Sequence, residues 1–548
     1  MKHSLPHFPS RTLSIISACA LLALANLSGC GKGLTQAEKA AQEGILLVGN
    51  KIEPNTLDPQ ISTSVEVFGI SFALFEGLVS PNPQTLEPEP GIAESWEISP
   101  DGLRYTFHLR SNARWSDGRA ITSADFLFAW ERLISPELAS GNALMLLDIK
   151  GARAFNEGKS KDFSSVAVTA PDAHTLVVEL ENRTPWFLSI LMHPSTVPIP
   201  RKSVEAAGGV FDRTNGWTRS ADMLCNGPFV MTSWEPNRMI EVRRNPHYWD
   251  AQKVSLNAVR FLPIESINTE EMAYRGGQLH VTQSVPINRI SQLRAQGDKA
   301  LRISPYLGVY YYIANTSRAP LDNPDVRKAL SLAIDRKILT EKLLADAQNP
   351  AESFTPKGIR GYEAPSVVTH DAEKARELLG KAGYAKGEDF PRIELLFNTS
   401  ENQRKIAEAI QAMWKDELGI EVLLRNEDFS SYVATRNSGS FDLARGSWVA
   451  DYPSAASFLD LWRSGSANNF ARWSSADYDR LMNAATNAGS EAERNELYSE
   501  AERLLLDNAV VIPIYHYNSA RMISTAVLGW YENLMDWHPY KYISLKAE

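Results

Sequence analysis

The chain has 548 residues, 44% apolar and 22% charged, with a formal net charge of −9. That length exceeds what one hydrophobic core supports, so about two to four domains are expected. The acidic balance leaves no broad basic surplus for phosphates, which excludes a nucleic-acid partner.

Residues 1–29 read as a leader rather than as fold. Lys2 and Arg11 make a weakly basic start, and "TLSIISACALLALAN" (12–26) is too short for an ordinary membrane span. "LSGC" (27–30) follows in the pattern of a bacterial lipobox, with Cys30 to carry lipid. The alternative is a secretory signal ending in small residues, with Cys30 incidental. No later segment is apolar for the length of a span, so the body is expected outside the bilayer and held by its end. "GKGLTQAEKAAQEG" (31–44) reads as the tether. With Cys19 cleaved away and Cys30 lipidated, Cys225 is left alone and no internal disulfide is possible. "LCNGPFV" supplies nothing to lower its pKa, so Cys225 reads as a small buried hydrophobe rather than a nucleophile.

Strand and turn signals dominate 45–120. "ILLVGN" (45–50) is a short apolar run, and "LRYTFHLR" (103–110) alternates between the turns "SPDG" and "SDG". "SADFLFAWERLI" (123–134) reads as a helix capped by Ser123, and "HTLVVELEN" (174–182) as a strand. "FVMTSW" and "MIEVRR" flank "EPNR" (235–238) as a hairpin. "LDNPDVRKALSLAIDRKILTEKLLA" (321–345) reads as one strong helix, with Asn323 as cap and Pro324 in its first turn.

The last third is the most regular. "RIELLFN" (392–398) is a strand; Ser400 and Gln403 then form an S-x-x-Q capping box, and the helix stops at Gly419. "IEVLLRN" (420–426), "FSSYVATRNSG" (429–439) and "FDLARGSWVA" (441–450) continue as strand, helix and strand. β-α-β-α-β order implies a parallel sheet with right-handed crossovers. Ligands of such sheets sit beyond the carboxyl ends of strands, which is where Asp451 falls.

No enzyme signature stands out: no G-x-S-x-G, no phosphate-binding loop, no H-E-x-x-H and no histidine cluster at metal-ligand spacing. No catalytic residue, metal or cofactor is therefore assigned. A hydrolase with carboxylates distant along the chain stays open as an alternative.

Taken in order, "TLDP" (56–59), "LFEGLV" (74–79), "AESWEISPDGLRYTFHLRSNARWSDG" (93–118), "GPFVMTSW" (227–234), "RNPHYWD" (244–250), "VRKALSLAIDR" (326–336), "ELLFNTS" (394–400) and "FDLARGSWVADY" (441–452) carry a family resemblance. The chain resembles the periplasmic oligopeptide-binding proteins, the receptors of peptide ABC transporters in bacterial extracellular solute-binding protein family 5. The resemblance implies an α/β, bilobed, hinge-linked periplasmic-binding-protein fold with three domains. After the leader (1–29) and the anchor and tether (30–45), domain I comprises 46–75, 201–307 and 518–548. Domain II is 76–200 and domain III 308–517. It also implies a monomer, anchored to the bilayer through Cys30, that encloses short peptides and delivers them to a membrane permease.

By the same resemblance, Asp451 pairs with the peptide α-ammonium, while Arg445 and Arg436 lie in the same cleft. Arg445 is suited to a carboxylate, which guanidinium grips bidentately. Trp448 and Phe429 match aromatic walls, and Val65 matches a residue whose backbone meets the peptide as an added strand. Gln403 stands where relatives have a histidine for the peptide carboxylate, which puts the preferred peptide length in question. Gly308 and Val449 replace a cysteine pair of enteric relatives. The residues alone leave other roles open. Asp451 could cap a helix beginning near Pro453, Arg445 could pair with Asp442 or Asp451, and Trp448 and Phe429 could be core. Other ligands stay open on the same scaffold: a murein peptide, a nickel chelate, an oligosaccharide or an opine-like compound.

Overall fold

The computed structural model describes Met1 and residues 33–219 and 223–546; the lipobox at Cys30 lies outside them. Three larger sheets, beside two of two strands each, organise the described residues. The first joins Ile45–Gly49 in parallel to Ala258–Leu262, which continues antiparallel through Met239–Arg244 to Phe229–Glu235. The hairpin expected around "EPNR" is therefore part of it. The second is antiparallel and lies within 76–200, in the order Ala93–Ile98, Arg104–Leu109, Thr175–Glu179, Val168–Asp172. The third has six strands and positions Asp451.

In this third sheet Ile393–Asn398 pairs in parallel with both Val422–Glu427 and Leu443–Val449, as β-α-β-α-β order requires. The sheet as a whole is mixed rather than parallel. Leu443–Val449 also pairs antiparallel with Leu301–Ala314, which pairs antiparallel with Val511–Met522. Those two long strands arrive from distant sequence, which local periodicity does not reveal. Their register breaks between Pro305 and Val309. The crossover helix Glu401–Leu418 buries Ile406, Ile410 and Trp414 against the sheet, and Trp414 Nε1 donates to Leu330 O at 2.8 Å. Gly419 ends it at φ 73°, where an added Cβ would lie 2.4 Å from Lys386 O.

Three local expectations are corrected. Thr122, not Ser123, caps the helix Ser123–Ile134; its N–H donates to Asp125 at 2.8 Å, while the Ser123 hydroxyl donates to Asp172 O. The expected helix over 321–345 runs only from Pro324 to Leu332. Arg336 is buried there and donates to Pro513 O, Ser331 O and Ile334 O, so the chain bends around it before a wide turn at Leu339–Leu343. The Ser400–Gln403 capping box does not form. Ser400 is fully extended at φ −168° and serves the turn through its carbonyl, which accepts Arg404 N–H at 3.0 Å.

A buried polar node joins distant segments. Glu76 accepts hydrogen bonds from Lys541 at 3.0 Å, Tyr248 at 2.7 Å and Trp249 at 2.5 Å. Cys225 is fully buried, and burial pushes its thiol up to about 12, as expected for an inert cysteine. Among the described residues no helix is long and apolar enough to cross a membrane.

Candidate functional site

Beyond the carboxyl end of Leu443–Val449 lies a cavity of about 670 Å³. Residues from 48–72, 283–290, 448–451 and 517–540 line it, so it draws on both the first and the third sheet. The turn that carries Asp451 is tied by Ala450 N–H to Leu307 O at 2.8 Å and by Asp451 N–H to Ser457 Oγ at 3.1 Å. The Asp451 side chain caps no helix: Ala456–Leu459 begins without a side-chain cap. Among the described residues its carboxylate accepts no hydrogen bond and joins no ion pair. Burial pushes it up to about 6, so it is still ionised at neutral pH and faces a cavity that contains no partner for it.

The walls around it are strongly aromatic, with Phe68, Phe72, Trp448, Tyr517 and Trp537 among them. Trp448 therefore lines the cavity, and its Nε1 is buried with no partner among the described residues. Val65 also lines it, but as the first residue of the helix Val65–Leu74 rather than in a strand. At that position the backbone N–H has no intrahelical partner, because the first turn of a helix leaves its donors free. The cavity's other charges are already matched. Lys51 pairs with Glu66 at 3.2 Å, and Arg521 with Asp536 at 2.5 Å. His538 Nε2 lies 2.8 Å from Asp536. Burial works against ionised Asp536, yet Arg521 and His538 hold its carboxyl well below the usual range.

The other expected site residues lie outside this cavity. Arg445 lies on the strand Leu443–Val449, three residues before Trp448. Its guanidinium lies 5.1 Å from the Tyr310 ring centre, and its Nε is buried and unpartnered among the described residues. It pairs with neither Asp442, which is held by Arg318 at 2.9 Å, nor Asp451. Phe429, Tyr432 and Arg436 share one face of the helix Phe429–Ser438. Phe429 is 65% exposed and is not core. Arg436 sits 4.1 Å over the Phe470 ring. The Tyr432 hydroxyl donates to Arg445 O, which links this helix to the strand of Asp451. Gln403 is in neither group; its Oε1 is buried with no partner among the described residues. The structure thus unites Asp451, Trp448 and Val65, and sets Arg445, Arg436, Phe429 and Gln403 apart. Missed from sequence were Phe68, Phe72 and the Arg521–Asp536–His538 group. The density of aromatics in "MDWHPYKY" (535–542) was the one available signal for part of that wall.

Residues 87–470 match the family described as bacterial extracellular solute-binding proteins, family 5 Middle. The chain belongs to this family. The periplasmic oligopeptide-binding protein OppA of Salmonella typhimurium is 35% identical over 527 residues, covering 94% of this chain and 95% of its own. The periplasmic murein peptide-binding protein MppA of Escherichia coli is 35% identical over 542 residues, covering 97% and 96%. The solved structure of Haemophilus influenzae OppA in complex with RPPGFSPFR matches with a TM-score of 0.78 at 32% identity, over 92% of this chain and 99% of that one. Family 5 solute-binding proteins are transport receptors and not enzymes, so the cavity of this family 5 protein is a place to hold a solute. What the family frame makes notable is the charge pattern: one unmatched acid, Asp451, in an otherwise neutralised aromatic chamber.

Proposed function

We propose that this family 5 protein is the peptide receptor of an ABC transporter, capturing short peptides through their free amino terminus and delivering them to a permease. The observation that carries this reading is Asp451: a mostly buried carboxylate without a partner among the described residues, at the edge of an aromatic cavity. Burying a charge without a partner is costly, and an incoming ammonium removes that cost by a charge-assisted hydrogen bond. The relatives named for peptides support the same class of solute. Arg445, Arg436 and Phe429 serve the farther part of the ligand, where the Nε atoms of both arginines, without partners among the described residues, offer donors to a carboxylate or to peptide carbonyls.

Domain boundaries at 307/308 and 517/518 fit the place where the paired strands Leu301–Ala314 and Val511–Met522 lose register, and we assign the hinge there. The protein acts as a lipid-anchored monomer held at Cys30. A murein peptide is a second reading, favoured by the full-length similarity to MppA. Calorimetry with di- to pentapeptides, each free and N-acetylated, tests the proposal. Free peptides bind and acetylated ones bind far more weakly; equal affinity for both rejects the role of Asp451. A γ-linked peptide in the same panel separates the murein reading.

A further inference from the structure

Segment 76–200 reaches across to the neighbourhood of Asp451. Its Trp186 ring lies parallel to the Tyr452 ring, with planes 2° apart and centroids 6.3 Å apart, an offset stack. Tyr452 directly follows Asp451 and is 9% exposed. The same Trp186 ring meets Tyr498 on the helix Glu491–Asp507 at 6.4 Å. Trp186 is itself well founded: the next residue, Phe187, is fully buried and packs edge-on against Tyr105 at 5.0 Å. Arg183 adds a second bridge, donating to Ala488 O at 3.3 Å. By contrast, the turn after the strand Leu443–Val449 has few ties of its own. Among the described residues they are the Ala450 and Asp451 bonds already described, Ser454 N–H to Tyr452 O at 2.8 Å, and short-range bonds to Ser454 and Ala455 such as Ala456 N–H to Ser454 Oγ at 3.3 Å.

We propose that Trp186 is a positioning residue for the solute site: through its stack on Tyr452, segment 76–200 holds Asp451 aimed into the cavity. The inference rests on Asp451 receiving the ligand's ammonium. A pre-set carboxylate binds more tightly than one that must be ordered on arrival, because the ordering cost is met in advance. Domain II then has a task in recognition although, among the described residues, His193 alone of that part of the chain lines the cavity.

The full chain carrying Trp186→Ala, Trp186→Leu or Trp186→Phe tests this by hydrogen exchange without ligand. Exchange at amides 451–457 is expected to speed up about tenfold in the Ala and Leu variants and to return near the wild-type rate in the Phe variant. Peptide affinity gives the second readout: the Ala and Leu variants lose about tenfold for a free-amine peptide and almost nothing for its N-acetyl form. Unchanged exchange at 451–457 in the Leu variant, which keeps apolar bulk and removes the ring, overturns the proposal. If wild-type protein binds free and acetylated peptides alike, the Asp451 reading fails instead, and the exchange rates still decide whether Trp186 orders the turn.

Discussion

Asp451 and Asp536 face one cavity in opposite states: Asp536 is held by Arg521 at 2.5 Å and by His538 at 2.8 Å, while Asp451 has no partner among the described residues. The matched acid contributes to the wall. The unmatched one is the group a cationic end of a solute can find. This division decides which substitution should affect binding and which should affect the fold.

Asp451→Asn keeps the shape of the side chain and removes its charge. Affinity for a free-amine peptide should fall by about two to three orders of magnitude, the usual result of deleting one partner of a desolvated charge pair. The melting temperature should stay level or rise, because a buried unpaired carboxylate is lost. Calorimetry and a thermal melt on the same sample check both halves; a large drop in melting temperature would show that Asp451 is structural.

The Asp451 carboxyl also sets a pH dependence. Burial places it at about 6 in the folded chain, above its ordinary 3.8. The folded state therefore takes up a proton before the unfolded state does as pH falls. Ligand-free stability should gain from this residue between pH 6 and 4, and the penalty should be complete above 6. Binding should move the other way, weakening by roughly tenfold per unit below pH 6 as the charge that meets the ammonium is lost. Affinities measured from pH 5 to 8 reveal the trend, and Asp451→Asn should abolish it.

Glu76 offers the structural counterpart. Its carboxylate is 6% exposed as a residue and bonds Lys541, Tyr248 and Trp249. Glu76→Ala leaves the Lys541 ammonium buried and unpaired, a change that costs about 3–5 kcal/mol. Chemical denaturation should record that loss, while the order of preference among peptides stays as in the wild type.

Gln403 is expected to be a bystander for short ligands. Its amide oxygen is buried without a partner among the described residues, and it lies outside the cavity of Asp451. Gln403→Ala should change stability by less than about 1 kcal/mol and dipeptide affinity by less than about threefold. A large loss of dipeptide affinity would place Gln403 on the ligand.

Local signals carried the sequence reading wherever structure is set by neighbours in the chain. The strand at 393–398, the helix ending at Gly419 and the strand before Asp451 all appear where period and capping residues put them. The place of Asp451 beyond the carboxyl end of Leu443–Val449 followed from them, because β-α-β order implies which strand ends share an edge. Long-range features were not legible. Leu301–Ala314 joins the third sheet from about 140 residues upstream of its neighbour Leu443–Val449, and no periodicity announces such a partner. The distance between Arg445 and the cavity of Asp451 was not legible either, because closeness in sequence to Trp448 says nothing of how far along the strand the cavity extends. The Arg336 bend was hidden because buried carbonyls, not residue type, dictate it.

Cys225 carries a last consequence. It is the one cysteine among the described residues, wholly enclosed and held in its protonated form. The body of the protein can therefore reach its final shape without a disulfide being formed or reshuffled. A receptor built this way does not rely on a disulfide for its shape, so a shift in the thiol–disulfide balance around it leaves its grip on solute unchanged.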